Sequence, residues 1–141
     1  MQQNENEQRD IVRMLRSHNI APTSQRVKIA AAMFARPQHL TAEQVLELAN
    51  ENGRRVSKAT VYNTLGLFTR KGLIRELVVD SSRSFYDSST HNHHHLYNPQ
   101  TQELVDLTDQ QIEIPEIQGL PEGTEVDKVE LVIHLKPKND H

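Results

Sequence analysis

At Gly72 the hydrophobic period of this 141-residue chain changes, and few folds accommodate the order in which the two periods occur. Upstream, apolar residues recur at helical spacing; downstream they fall in short extended runs. Residues 10 to 18 place Ile11, Val12, Met14 and Leu15 on a short amphipathic helix that ends near Asn19, ahead of Pro22. The polar first eight residues are expected to be frayed. A second helix starts at Thr23, carries Val27, Ala30, Ala31 and Phe34 at i, i+3, i+4 and i+7, and must stop before Pro37. Thr41 lies three residues ahead of Gln44, a capping-box pattern that opens a third helix bearing Val45, Leu46 and Ala49 and closing at Gly53. Ser57 is a good N-cap for a fourth, with Val61, Leu65 and Phe68 at i, i+4 and i+7 and Gly72 as its stop.

Beyond Gly72, Leu73, Ile74, Leu77, Val78 and Val79 form a β-rich run, Asp80-Ser81-Ser82 reads as a turn, and Phe85-Tyr86 resumes extended structure. Helices followed by a hairpin are the order of a winged helix, in which the last helix enters the major groove and the wing meets the backbone. The face of the fourth helix opposite its apolar stripe holds Lys58, Thr60, Tyr62, Asn63 and Arg70, side chains suited to base edges and phosphates. The competing reading is a small helical bundle whose polar face does nothing.

Charge divides the chain in the same sense. Residues 1–85 carry a net charge of +5 and residues 86–141 a net of −8, so the overall −3 hides a basic half and an acidic half. A basic half suits a polyanion, because phosphate neutralisation supplies most nonspecific binding energy; the plain alternative is solvated helix faces. The acidic half reads as one small sheet from His94–Tyr97, Glu103–Leu107 and Val126–Leu135, and Pro115, Gly119, Pro121 and Gly123 oppose a long helix between Thr108 and Thr124. The fold class is therefore α+β. No apolar run approaches the ~20 residues of a membrane span, and the polar start lacks a signal peptide's apolar segment, so a soluble cytoplasmic protein is expected.

The chain has eight His and no Cys, which excludes disulfides, thiolate zinc sites and a cysteine nucleophile. Four of those His fall within the five residues His91-Asn92-His93-His94-His95. On a strand His93 and His95 share one face and His94 takes the other. Two imidazoles so placed can bind one ion, with Asp87 and Asp106 as candidate carboxylates, and a nitrogen and oxygen set suits divalent Fe, Mn or Zn. Adjacent His can also ligate haem iron. A metal-dependent enzyme, in which three His and an open position activate water, or a His-rich metal carrier is the competing class. No paired general-base motif accompanies the cluster, and the reading here is of a protein that is not an enzyme.

On these residues the chain resembles the ferric uptake regulator family over about residues 10–135. The motifs are Ala21-Pro22-Thr23-Ser24-Gln25-Arg26, His39-Leu40-Thr41-Ala42-Glu43, Ala59-Thr60-Val61-Tyr62-Asn63-Thr64-Leu65, and His93-His94-His95 followed by Glu103-Leu104-Val105-Asp106-Leu107. The resemblance implies a winged-helix DNA-binding domain over residues 1–86, a hinge near 86–91, and a small α/β dimerisation and metal-sensing domain over residues 87–141. It implies a homodimer that binds palindromic, AT-rich promoter DNA, with a regulatory site for Fe2+, Mn2+ or Zn2+ at His39, Asp87, His93, His95 and Asp106. DNA contacts would come from Arg26, Ser57, Lys58, Thr60, Tyr62 and Asn63. The usual structural zinc site, two Cys-x-x-Cys pairs of which the first would fall at Asn98 and Thr101, is absent. The Pro- and Gly-punctuated stretch from Thr108 replaces the helix that relatives carry there. With the His triplet, these departures look most like the iron response regulator branch, in which the triplet is associated with haem. A haem or second metal site at His94 and Glu113 is implied there. Asp106 in place of Glu also resembles the peroxide-sensing branch, so a peroxide-sensing Fe- or Mn-dependent repressor is the alternative.

Overall fold

A computed structural model describes residues 2–36, 39–89, 94–108 and 110–139. The chain forms two compact units, Met1–Thr90 and His91–His141.

The first unit begins with α1 (Gln2–Ser17), α2 (Ser24–Phe34), the short strand β1 (His39–Leu40), α3 (Ala42–Ala49) and α4 (Lys58–Arg70). It closes with the hairpin β2 (Arg75–Asp80) and β3 (Arg83–Asp87). The fourth helix and the wing are where the sequence places them. α1 is longer than expected: residues 2–8, expected to be frayed, continue the helix. Their Gln and Glu residues are good helix formers, and Glu5 complements the positive end of the helix dipole. At its other end Asn19 adopts a left-handed φ of 60°, and Ile20 N–H donates to Leu15 O at 2.9 Å, while both apolar side chains are buried. This is a Schellman closure, with the hydrophobic contact that accompanies it. α4 ends the same way, through Gly72 at φ 76° and Leu73 N–H on Phe68 O at 2.9 Å.

The core is made by Leu15, Ile29, Met33, Val45, Val61, Leu65 and Phe68, all fully buried. α2 is rotated from its expected face. Ile29, Ala30 and Met33 point inward and Ala31 is exposed, because the larger side chains take the interior and leave the alanine to solvent. α3 stops at Ala49, short of Gly53. The chain beyond it is held by side chains instead: Asn50 accepts from Val56 N–H at 2.7 Å and donates to Val56 O at 3.0 Å, and Lys28 Nζ donates to the carbonyls of Asn52 and Arg54 on either side of Gly53. The capping box at Thr41 and Gln44 is complete. β1 is an addition that no sequence signal announces. It pairs antiparallel with β3, giving a three-stranded sheet in the order β1-β3-β2 with His39 opposite Asp87.

The second unit is a sheet of β4 (His94–Asn98), β5 (Glu103–Leu107) and β6 (Val132–His134) in the order β5-β4-β6. β4 and β5 are antiparallel, with His95 opposite Asp106, and β6 lies parallel to β4. β6 is shorter than the expected Val126–Leu135 strand. It has only three register pairs, and Val126 upstream of them is exposed. Between β5 and β6 the described residues form turns and irregular chain, as Pro115 and Pro121 and the left-handed Gly119 and Gly123 require.

Replacing Phe68 by Ala should cost about 3–5 kcal/mol as a core cavity, Thr41→Ala about 1 kcal/mol as a lost cap, and Val78→Ala, whose side chain is exposed, less than about 0.5 kcal/mol. Urea unfolding followed by helical circular dichroism ranks the three.

Candidate functional site

The winged-helix unit presents α4 as its exposed polar helix. Ser57, Lys58, Tyr62 and Asn63 are exposed and Thr60 is half-buried, while Val61, Thr64, Leu65 and Phe68 are buried on the opposite face. Two of the residues expected at DNA already have structural duties. The Ser57 hydroxyl caps α4, accepting from Thr60 N–H at 3.1 Å and donating to Thr60 Oγ1 at 2.9 Å. Arg26 is half-buried and donates from its guanidinium to Ala21 O at 3.0 Å, bracing the turn before α2.

Tyr62 has a partner that sequence spacing does not suggest. Its hydroxyl donates to Glu43 Oε1 at 2.6 Å, across nineteen positions of chain, and Lys58 Nζ lies 5.8 Å from its ring centroid, four residues back on the same helix. The hydrogen bond raises the Tyr62 pKa and lowers that of Glu43, so proton and charge stay where they are drawn. Tyr62 and Glu43 line a cleft of about 520 Å³ whose other wall is the wing, with Glu76, Asp80, Arg83 and Tyr86 among its residues. At the wing tip Asp80 accepts from Ser82 N–H and Ser82 Oγ, both at 2.8 Å, which closes the turn and lowers the Asp80 pKa.

The second group of candidates occupies the two sheets, one pair in each unit. In the first unit His39 Nδ1 is 3.3 Å from Asp87 Oδ2, and Asp87, which is 1% exposed, also accepts from Ser89 N–H at 2.8 Å through Oδ1. In the second unit His95 Nε2 is 3.1 Å from Asp106 Oδ1; His95 is fully buried and the Asp106 side chain is 48% exposed. The pairs are cross-strand neighbours in antiparallel register, which is why residues so far apart in sequence meet. Two donors each about 2.0–2.2 Å from one ion lie roughly 3.0–3.5 Å apart, and both pairs have that separation. One imidazole nitrogen and one carboxylate oxygen per pair, without sulfur, fit a divalent Fe, Mn or Zn ion. His93 lies outside the described residues.

The residues suggested for a haem or second metal site are differently engaged. His94 Nδ1 accepts from Leu131 N–H at 3.2 Å, which leaves its ring proton on Nε2, and Glu113 is exposed on the irregular segment. Glu43 is the residue that sequence reasoning missed. Its place in the first turn of α3 explains it as a helix-dipole partner, and the motif His39-Leu40-Thr41-Ala42-Glu43 that contains it points to no partner on α4.

The fold and these side chains define a winged-helix DNA-binding unit joined to a small sheet unit that carries metal-ligand chemistry. The comparisons with known proteins agree. The model of the ferric uptake regulator family matches residues 17–134. The peroxide-responsive repressor PerR of Staphylococcus saprophyticus is 33% identical over 103 residues, covering 73% of this chain and 70% of that protein, and the PerR of Staphylococcus aureus Mu50 is 32% identical over the same coverage. Among solved structures, the ferric uptake regulator from Pseudomonas aeruginosa with manganese aligns at a TM-score of 0.68 and 26% identity, covering 89% of this chain and 96% of that one. The Vibrio cholerae ferric uptake regulator, at 19% identity and a TM-score of 0.70 over 89% of this chain and 98% of its own, shares the fold. The chain belongs to the ferric uptake regulator family. Among its described residues, no helix is long and apolar enough to cross a membrane.

Asp87→Asn keeps an acceptor for Ser89 N–H and removes a buried charge. It should weaken Mn(II) binding about ten-fold or more while the metal-chelated protein stays folded. Urea unfolding in chelator and calorimetric Mn(II) titration read the two effects separately.

Proposed function

We propose that this chain is a homodimeric, metal-responsive transcription regulator that binds palindromic, AT-rich promoter DNA through α4 and the wing, and that it acts without catalysing a reaction. The observation that carries the reading is the His-opposite-Asp pair in each unit of a chain of this family. His39 and Asp87 from the first unit would hold one divalent ion together with His93, His95 and Asp106 from the second. Such an ion supplies Lewis-acid bonding to both units, so its binding energy becomes population of the DNA-competent arrangement, and DNA in turn tightens the metal. Arg26, Lys58, Thr60, Tyr62 and Asn63 serve the DNA, with Ser57 helping as the cap that orients the start of α4.

Iron is the ion whose status the regulator reports. Haem is a second input, through the His93-His94-His95 triplet, in keeping with the likeness to the iron response regulator branch. Haem ligation by His94 requires that the bond from Leu131 N–H give way, because Nδ1 would either bind the iron itself or take up the proton that leaves Nε2.

A second reading is favoured by the relatives named above, which are peroxide-responsive repressors. In that reading the same His and Asp residues hold Fe(II), and peroxide ends DNA binding by oxidising His39 or His93.

Fluorescence anisotropy of an AT-rich palindromic duplex tests both, with protein stripped of metal, then given Mn(II), then haem. Tight binding that needs Mn(II), lost by about ten-fold or more in Asp106→Ala with unchanged circular dichroism, is the expected result. Unchanged Mn(II) dependence in Asp106→Ala refutes the ligand assignment. Loss of binding on adding haem supports the iron and haem reading. A gain of one oxygen on a peptide containing His39 or His93, after peroxide treatment of Fe(II)-loaded protein, supports the peroxide reading.

A further inference from the structure

We propose that Glu43 is a specificity-determining residue for DNA: by taking the single hydroxyl proton of Tyr62, it makes Tyr62 an acceptor-only reader of base edges. The inference rests on the DNA-binding reading given above and goes beyond it in assigning Glu43 a role and Tyr62 a polarity.

A tyrosine hydroxyl has one proton to donate and lone pairs with which to accept. Tyr62 spends that proton on Glu43 Oε1 at 2.6 Å, a short charge-assisted bond. Its oxygen can then accept only, and in the major groove the donors are adenine N6 and cytosine N4. The acceptor sites of guanine N7 and O6, thymine O4 and adenine N7 are rejected, because two lone pairs would face one another. Glu43 itself is exposed and ionised, and it shares its cleft with Glu76 and Asp80 against the single cation Arg83 among the described lining residues. That charge repels phosphate, so the backbone is excluded from the cleft side of α4 while Lys58, above the Tyr62 ring, remains available to it. The directions of the two pKa shifts agree, since Glu43 stays a carboxylate and Tyr62 keeps its proton.

The geometry separates three substitutions. Glu43→Gln keeps an acceptor for the Tyr62 hydroxyl but removes the charge. Glu43→Ala frees the hydroxyl to donate. Tyr62→Phe removes the reading oxygen and keeps the ring. The probes are the duplex that the wild-type chain, loaded with Mn(II), selects from a randomised library, together with all its single-base-pair variants and a scrambled duplex. Wild type should show a position at which adenine or cytosine is preferred about ten-fold, and Tyr62→Phe should lose that preference. Glu43→Ala should lose it too, by admitting bases with acceptor edges. Glu43→Gln should retain it, while binding the scrambled duplex more tightly and with a steeper salt dependence. A Glu43→Ala profile identical to wild type at every position overturns the proposal, as does a Tyr62→Phe profile that changes nowhere. A wild-type chain that selects no sequence overturns instead the DNA-binding reading beneath it. The Tyr62→Phe/Glu43→Ala double variant should match Tyr62→Phe in base preference, because without the hydroxyl Glu43 has no proton to orient.

Discussion

Strand register is the constraint on which the candidate chemistry of this protein depends. In each unit an antiparallel ladder sets one histidine directly opposite one aspartate, His39 against Asp87 and His95 against Asp106. The side-chain period of a strand is two, so a slip of one residue in either ladder would turn the imidazole to the other face and leave its carboxylate behind. Burial enforces the register. Leu40 and Tyr86, adjacent to the first pair, lie in the core of their unit, and in the second sheet Tyr97 and Leu104 are buried as cross-strand partners. The apolar residues fix where the polar ones meet.

The helical part solves a different problem, that of holding one helix with a polar face firmly enough to present it. Each end of α4 is tied by local chemistry, Ser57 at the start and the Gly72 closure at the finish, while Val61, Leu65 and Phe68 anchor its inner face. The loop before it is fastened by Asn50, whose amide makes both bonds to the backbone of Val56. Little of this depends on α4's own helix propensity, which the β-branched Thr60, Val61 and Thr64 and the central Gly66 reduce. The exposed side chains are consequently free to be chosen for what they contact.

What could be read from sequence followed the range of the forces involved. Caps, stops and the change of period at Gly72 are local, so α2, α4 and the wing fell near their expected places, as did the irregular chain that the described residues of the punctuated segment form. The first turns of α1 carry no apolar periodicity, and only helix-forming composition announces them. β1 has two residues, too few for any alternation to show, although it positions His39. Ligand chemistry and family resemblance could name His95 and Asp106 as candidates together, but not their facing positions, because register between strands is not a property of either strand's sequence. Glu43 was hidden for the same reason: a carboxylate in the first turn of a helix has a sufficient local explanation, and its bond to Tyr62 exists only once α3 and α4 are packed.

The irregular segment between β5 and β6 shows how unevenly the second unit would tolerate insertion and deletion. A flexible connection pays for added length only logarithmically, about 0.6 kcal/mol for each doubling, so residues gained or lost around Pro115 to Gly123 would scarcely alter the closure of β6 onto β4. One residue inserted into the five of β4 has the opposite character, since it reverses the facing of every side chain beyond it. Length variation among descendants of this sequence should therefore collect in the segment and spare the strand, with the histidine spacing as the part of the unit least able to drift.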